Sequence, residues 1–132
     1  KIYVPELKLG MNMSWQSIPR LVNLIGPART KELLILAEPQ GADLAKEWGL
    51  IDRVAQPGDA LNKAKDLAIQ VAEMPPIPVR MTKRAVTVSA TVLNNATSFM
   101  DVEQFMVTQH TSDAQEGMAA FFEKRKPKFE GC

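Results

Sequence analysis

The chain opens on a strand-like segment that has almost nothing to pair with, and this limits its folding more than any other feature. Ile2-Tyr3-Val4 is β-branched and aromatic, and Pro5 stops it. Leu7-Lys8-Leu9 continues in extended alternation as far as Gly10. A lone strand leaves its backbone donors and acceptors unsatisfied, so it needs a sheet. Only residues 50–55 also read as strand, so two short strands are expected and the rest must fold as helix.

The helices are punctuated clearly. Ile18, Leu21, Val22 and Ile25 share one helical face and Gly26 supplies the stop. Pro27 suits the first turn of a second helix, whose consecutive Leu33, Leu34, Ile35 and Leu36 predict burial nearly all round. Residues 42–48 predict a short helix closed by Gly49 in a left-handed cap. Pro57-Gly58 is a turn, after which Asp59 is expected to cap a long helix with Leu61, Ala64, Leu67, Ala68 and Val71 inward. Pro75-Pro76-Ile77-Pro78 breaks that helix, and another is expected over 79–90. A helix over 96–111 is expected to bury Phe99, Val102, Phe105 and Met106. Ser112 with Gln115 reads as a capping box for a last helix running through Phe122. Met74, Met81, Met100, Met106 and Met118 read as gap-filling core.

Composition excludes several function classes. Sixteen Lys and Arg against fifteen Asp and Glu leave +1, without the electrostatic footprint of a nucleic-acid binder. With 45% hydrophobic and 23% charged residues the chain is not disordered. Its apolar runs are far too short for a bilayer span, so no membrane partner is expected. Cys132 is the sole cysteine and His110 the sole histidine, which excludes a disulfide framework and a Cys- or His-rich metal site within the chain. His110 reads as a helix-end cap or packing residue, and Cys132 as exposed. A soluble protein is expected, with the cytoplasm as the default compartment. By length alone, 132 residues suit one ordinary domain.

The charge balance hides a divided chain. Residues 123–132 hold four cations (Lys124, Arg125, Lys126, Lys128) and two anions (Glu123, Glu130). The other twelve cations therefore face thirteen anions. The positive surplus lies in the tail beside Phe121, Phe122 and Phe129, a chemistry that composition alone assigns first to a solvated helix end and second to a nucleotide with phosphates. Glu6 is a second candidate: a strand-end carboxyl among apolar neighbours can serve as an acid or base, the plainer alternative being a solvent-exposed glutamate.

Four segments in order resemble the C-terminal half of the enoyl-CoA hydratase/isomerase (crotonase) family, over essentially the whole chain. They are Val4-Pro5-Glu6-Leu7-Lys8-Leu9-Gly10; Pro19-Arg20-Leu21-Val22 with Ile25-Gly26-Pro27-Ala28; Ala42-Asp43-Leu44-Ala45 with Trp48-Gly49-Leu50-Ile51-Asp52-Arg53-Val54; and the run from Thr111 to Phe129 containing Glu116-Gly117-Met118-Ala119-Ala120-Phe121-Phe122-Glu123-Lys124-Arg125. The resemblance implies an α/β crotonase-like (spiral ββα) fold, of which this chain is the mainly α-helical C-terminal part with two short strands. Residues 1–55 then end the core, and residues 56–132 form a helical region for oligomerisation and CoA contact.

What the resemblance implies chemically is an acyl-CoA thioester substrate and syn addition of water to a 2-enoyl-CoA through a stabilised enolate. It places the catalytic role on Glu6. Gly10, Ser14 and Trp15 fall in the substrate pocket, with Ser14 standing where common hydratases have a glycine close to the reacting carbon. Phe121 and Lys124 fall on the CoA contacts, commonly made to a neighbouring subunit. No cofactor is implied beyond the coenzyme A of the substrate, and no metal. The implied partners are further copies of the chain, as a homotrimer or dimer of trimers, and the missing N-terminal half of the same domain. That half carries the family's second glutamate and both oxyanion-hole donors, and any targeting segment would also precede Lys1. The 132 residues alone are accordingly expected not to turn over substrate. An enoyl-CoA isomerase, another crotonase-type reaction, and a non-catalytic helical assembly module are the alternatives.

Overall fold

A computed structural model describes residues 1–98 and 100–132. Among the described residues seven α-helices span Ser17–Lys31 (α1), Ala42–Glu47 (α2), Ala60–Ala72 (α3), Pro76–Thr91 (α4), Asn94–Thr97 (α5), Asp101–Gln109 (α6) and Ser112–Glu123 (α7). A 3₁₀ turn over Glu6–Leu9 precedes α1, and a π-helical turn over Glu32–Leu36 follows it. None of these helices is long and apolar enough to cross a membrane.

The expected strands do not form among the described residues. The first is reduced to a single antiparallel bridge, Ile2 with Gln40, made by two N–H···O bonds of 2.9 and 2.8 Å. Pro5 then takes a helical conformation (φ −88°, ψ −2°), so residues 6–9 curl into the 3₁₀ turn rather than extending. Residues 50–55 lose their strand for another reason. The Leu50 and Ile51 amides both donate to the Ala45 carbonyl, at 2.9 and 3.3 Å, and so fold back on α2.

Most breaks fall where local chemistry puts them. The Ser17–Lys31 helix is kinked at Gly26 (φ 76°, ψ 166°), with Pro27 opening its second part. The hydroxyl of buried Thr30 donates to the Gly26 carbonyl at 2.8 Å across that kink. Gly49 takes its left-handed conformation after α2 (φ 81°). Two caps differ from expectation. Thr111, not Ser112, caps α7, its hydroxyl accepting from the Ala114 amide at 3.1 Å. Asp59 makes no side-chain cap to α3 because its backbone is already helical (φ −99°, ψ −1°).

The core is small. Ile25, Leu33 and Trp48 form its buried centre, with Val4, Leu21 and Leu50 packed against it. Leu34 is also buried, but Ile35 and Leu36 are exposed, so the π-turn buries one side instead of its whole circumference. No residue of α3 or α4 is buried, including the expected α3 stripe. The five methionines assigned to the core are all exposed. The chain exposes 9974 Å². A compact monomer of 14.6 kDa exposes about 6,900 Å². A large apolar share of this helical surface is therefore left open.

The expected helix over 96–111 is broken into α5 and α6. Val102 and Met106 are exposed and Phe105 half-buried; the expected burial of Phe99 lies outside the described residues.

Candidate active site

Glu6 heads the 3₁₀ turn. Its carbonyl accepts from Met11 N–H at 3.0 Å, and Gly10 N–H reaches Leu7 O at 3.1 Å, which closes the turn on itself. Gly10 needs its freedom there, at φ 72°. The carboxyl oxygen Oε2 of Glu6 is buried, and none of the described residues donates a hydrogen bond to it.

Two glycines dock this turn onto α7. A Cβ on Gly117 would lie 2.5 Å from the Leu9 carbonyl carbon and 2.9 Å from the Gly10 nitrogen. A Cβ on Gly10 would lie 2.5 Å from the Asp113 carbonyl oxygen. Backbone therefore meets backbone, and no side chain can rotate away to make room. Gly117 and its neighbours Ala114 and Ala120 are the buried residues of α7, a small-residue face that permits the approach.

The segment after Gly10 is laced to α6. Thr108 Oγ1 accepts from the Asn12 amide at 3.0 Å, and Gln104 Oε1 accepts from Asn12 Nδ2 at 2.9 Å. The Phe105 ring meets that of Trp15 with centroids 5.8 Å apart. Asp101 Oδ2 accepts from Ser14 Oγ at 3.0 Å and from the Gln16 amide at 3.1 Å. The four α6 residues recur at i, i+3, i+4 and i+7, one face of a helix. That face was missed in the sequence because its period is carried by Asp, Gln and Thr as well as Phe. Polar residues at helical spacing were the available signal.

Of the expected pocket residues, Gly10 lies in the docking contact and Ser14 is buried facing Asp101, while Trp15 is largely exposed on Phe105. A cleft of about 580 Å³ opens between the Glu6 turn and α6, lined by Leu7, Gly10, Met11 and Asn12 on one side and by Met100, Glu103, Gln104, Val107 and Thr108 on the other. Glu6, Ser14 and Trp15 do not line it, and neither do Phe121 and Lys124. The last two stand at the end of α7, exposed, with Lys124 in a left-handed cap (φ 54°) and Phe121 edge-on to Phe122 at 5.7 Å.

The tail beyond α7 returns along that helix. Arg125 Nη2 donates to Glu116 Oε2 at 2.8 Å and Arg125 Nε to Glu123 at 2.6 Å. The Lys128 amide donates to Glu116 Oε1 at 2.8 Å, and the Glu130 and Gly131 amides donate to Asp113 at 2.7 and 2.9 Å. Ser112 Oγ donates to the Cys132 main-chain oxygen at 2.6 Å. Arg125 is thus held by its own acidic partners rather than left to a ligand. His110 sits at the end of α6, Nδ1 2.6 Å from the Met106 carbonyl oxygen. Among the described residues no group of His, Cys, Asp or Glu is arranged to hold a metal.

Hydrogen bonds from Arg125, then from the Lys128 amide, lower the Glu116 carboxyl from 4.5 to about 2. A carboxyl depressed in the folded state stabilises above its unfolded value and loses that contribution as pH falls through the folded one. The tail is expected to stay docked at pH 5 and to release between pH 4.5 and about 2. Hydrogen exchange at the Lys128 amide measures this, and protection unchanged at pH 2 would refute it.

A model described as enoyl-CoA hydratase/isomerase matches residues 1–132. The chain belongs to the enoyl-CoA hydratase/isomerase family. Among its relatives, a crotonyl-CoA hydratase of Syntrophomonas wolfei is 33% identical over 125 residues, covering 95% of this chain and 48% of the relative. A putative enoyl-CoA hydratase of Thermus thermophilus is 36% identical over 125 residues, covering 94% and 49%. The crystal structure of a carnitinyl-CoA hydratase from Mycobacterium avium superposes with a TM-score of 0.88 at 27% identity, over 98% of this chain and 51% of that one. The chain thus spans about half the length of the relatives it matches. Its fold is the mainly helical C-terminal part of the crotonase fold, with one bridge in place of the two short strands.

Proposed function

We propose that this chain supplies the C-terminal half of an acyl-CoA enzyme that adds water syn across a 2-enoyl-CoA double bond, with Glu6 as its acid–base group. The supporting observation is the setting of Glu6: a carboxylate with one buried oxygen that no described group satisfies, on a turn fixed by backbone contact with α7. A carboxylate so placed is free to exchange a proton with substrate, and its position is set before substrate arrives. Negative charge developing on the thioester oxygen needs oriented backbone N–H donors. In this reading they come from the N-terminal half of the domain, as does the second glutamate, so the 132 residues alone do not turn over substrate.

Gly10, Ser14 and Trp15 border the acyl group in this reading, while Phe121 and Lys124 hold the CoA nucleotide of a neighbouring copy. The exposed apolar side chains of α3 and α4, Leu61, Ile69, Ile77, Met81 and Val86 among them, support packing into a homotrimer or pair of trimers. The substrate's own coenzyme A is the sole cofactor required. Ser14 in place of the expected glycine, drawn to Asp101, favours a second reading in which the acyl group is not a simple straight chain.

Phe121→Ala and Lys124→Ala, made in the complete natural polypeptide, are each expected to raise KM for acyl-CoA about tenfold and leave kcat within about twofold, because nucleotide contacts are equal in ground and transition states. Steady-state kinetics on 2-enoyl- and 3-enoyl-CoA reads both this and the reaction type: hydration of the former supports a hydratase, double-bond migration in the latter an isomerase. Unchanged KM in both variants, together with normal turnover in Glu6→Gln, would instead support a non-catalytic assembly module.

A further inference from the structure

The Ser14–Gln16 segment is held in a conformation that its own residues disfavour. Trp15 (φ 64°) and Gln16 (φ 53°) are consecutive non-glycine residues in the left-handed region. Such a pair persists where surrounding contacts over-determine it, and such strain gathers at functional sites. Here Asp101 provides contacts at the entry to the strained pair and within it. One oxygen, Oδ2, accepts from the Ser14 hydroxyl before the pair and from the Gln16 amide within it. Ser14 is buried, and its carbonyl in turn accepts from the Ser17 hydroxyl at the first residue of α1. A glycine at position 14 would offer Asp101 no hydroxyl.

We propose that Asp101 is a positioning residue of the active site. Its carboxylate holds the strained Trp15–Gln16 pair and so fixes the course of the chain between the Glu6 turn and α1, the segment that borders the acyl group in the acyl-CoA reading. The proposal rests on the acyl-CoA reading above. It assigns a task to the first residue of α6, which accepts from the amide just before α1, and a reason for serine at 14. Asn12, tied separately to Gln104 and Thr108, sets the near end of the segment; Asp101 sets the far end.

The test compares Asp101→Ala with Asp101→Asn in the complete natural polypeptide. Asparagine keeps an oxygen able to accept both hydrogen bonds, and alanine keeps none. Two measurements are made: hydrogen exchange at the Gln16 amide, and kcat and KM for an acyl-CoA substrate. Asp101→Ala is expected to lose protection at Gln16 and about tenfold in kcat with KM changed less than about twofold, since misplacing a wall of the reacting site costs rate more than binding. Asp101→Asn is expected to restore both. A normal kcat in Asp101→Ala, a Gln16 amide still protected there, or an Asp101→Asn as impaired as Asp101→Ala would each overturn the proposal. If Asp101→Ala fails to fold, Ser14→Ala withdraws one of the two donors. It should lower kcat about threefold, and an unchanged value would overturn the proposal. A wild type without acyl-CoA turnover overturns the proposed function itself. Turnover that Glu6→Gln abolishes, alongside a normal rate in Asp101→Ala, overturns only the role of Asp101.

Discussion

Glu6→Gln in the complete natural polypeptide should lower kcat by about 10²- to 10⁴-fold, the range over which a positioned proton-transfer group accelerates a reaction. Glutamine keeps the shape of the side chain and removes its capacity to take up or give a proton. Stability should move the other way or stay level. Glu6 Oε2 is buried without a donor among the described residues. Such a group costs about 1–3 kcal/mol in the folded state, part of which the neutral amide recovers. Loss of acyl-CoA turnover with an unchanged or slightly raised denaturation midpoint is therefore the expected pair of results. A normal kcat would remove Glu6 from the acid–base machinery, whereas a lowered midpoint would point to a structural role.

Gly117→Ala has the largest expected effect on folding. Its new methyl would stand 2.5, 2.7 and 2.9 Å from three backbone atoms of Leu9 and Gly10. None of these can move without carrying the whole 3₁₀ turn, so α7 and the turn must separate. Overpacking of this kind costs roughly 1–3 kcal/mol. We expect the upper end of that range, because alanine's better helix propensity recovers less than about 1 kcal/mol. Denaturant titration measures the loss. Because the displaced turn carries Glu6, the folded fraction should also be slower, by more than about tenfold in kcat. A stability within about 0.5 kcal/mol of wild type, the range of an ordinary surface change, would show that the backbones do not meet. Gly10→Ala faces the same obstacle from the other side, with its left-handed φ of 72° as an added strain.

These two expectations differ in what made them visible. Glu6 was legible as a candidate from Pro5-Glu6 and the segments that follow it, because the resemblance rests on residues close together in the chain. Gly117 was legible only as part of a motif. Nothing near it in sequence indicates that Leu9 and Gly10 pass within contact distance. The α6 face was misread for a related reason. Apolar periodicity pointed to Val102, Phe105 and Met106, but only Phe105 of these faces inward, beside Asp101, Gln104 and Thr108. The inward face is polar because its partner is an irregular segment with backbone and side-chain donors to satisfy, not another apolar helix.

The sequence by itself determined most of the helix breaks, though not the division of the expected 96–111 helix into α5 and α6, and which family the chain resembles. Gly26-Pro27, the glycine after α2 and the hydroxyls before α7 act over a few residues through φ preference and capping, so local reading locates them to within a residue or so. Tertiary structure alone decided which faces turn inward and whether strands exist. A strand needs a partner's hydrogen bonds, and among the described residues Ile2 finds only Gln40. A helix stripe needs a neighbour, and α3 leaves Leu61, Ile69 and Val71 exposed for want of one among the described residues. Those outcomes depend on groups distant in sequence, which no local propensity encodes.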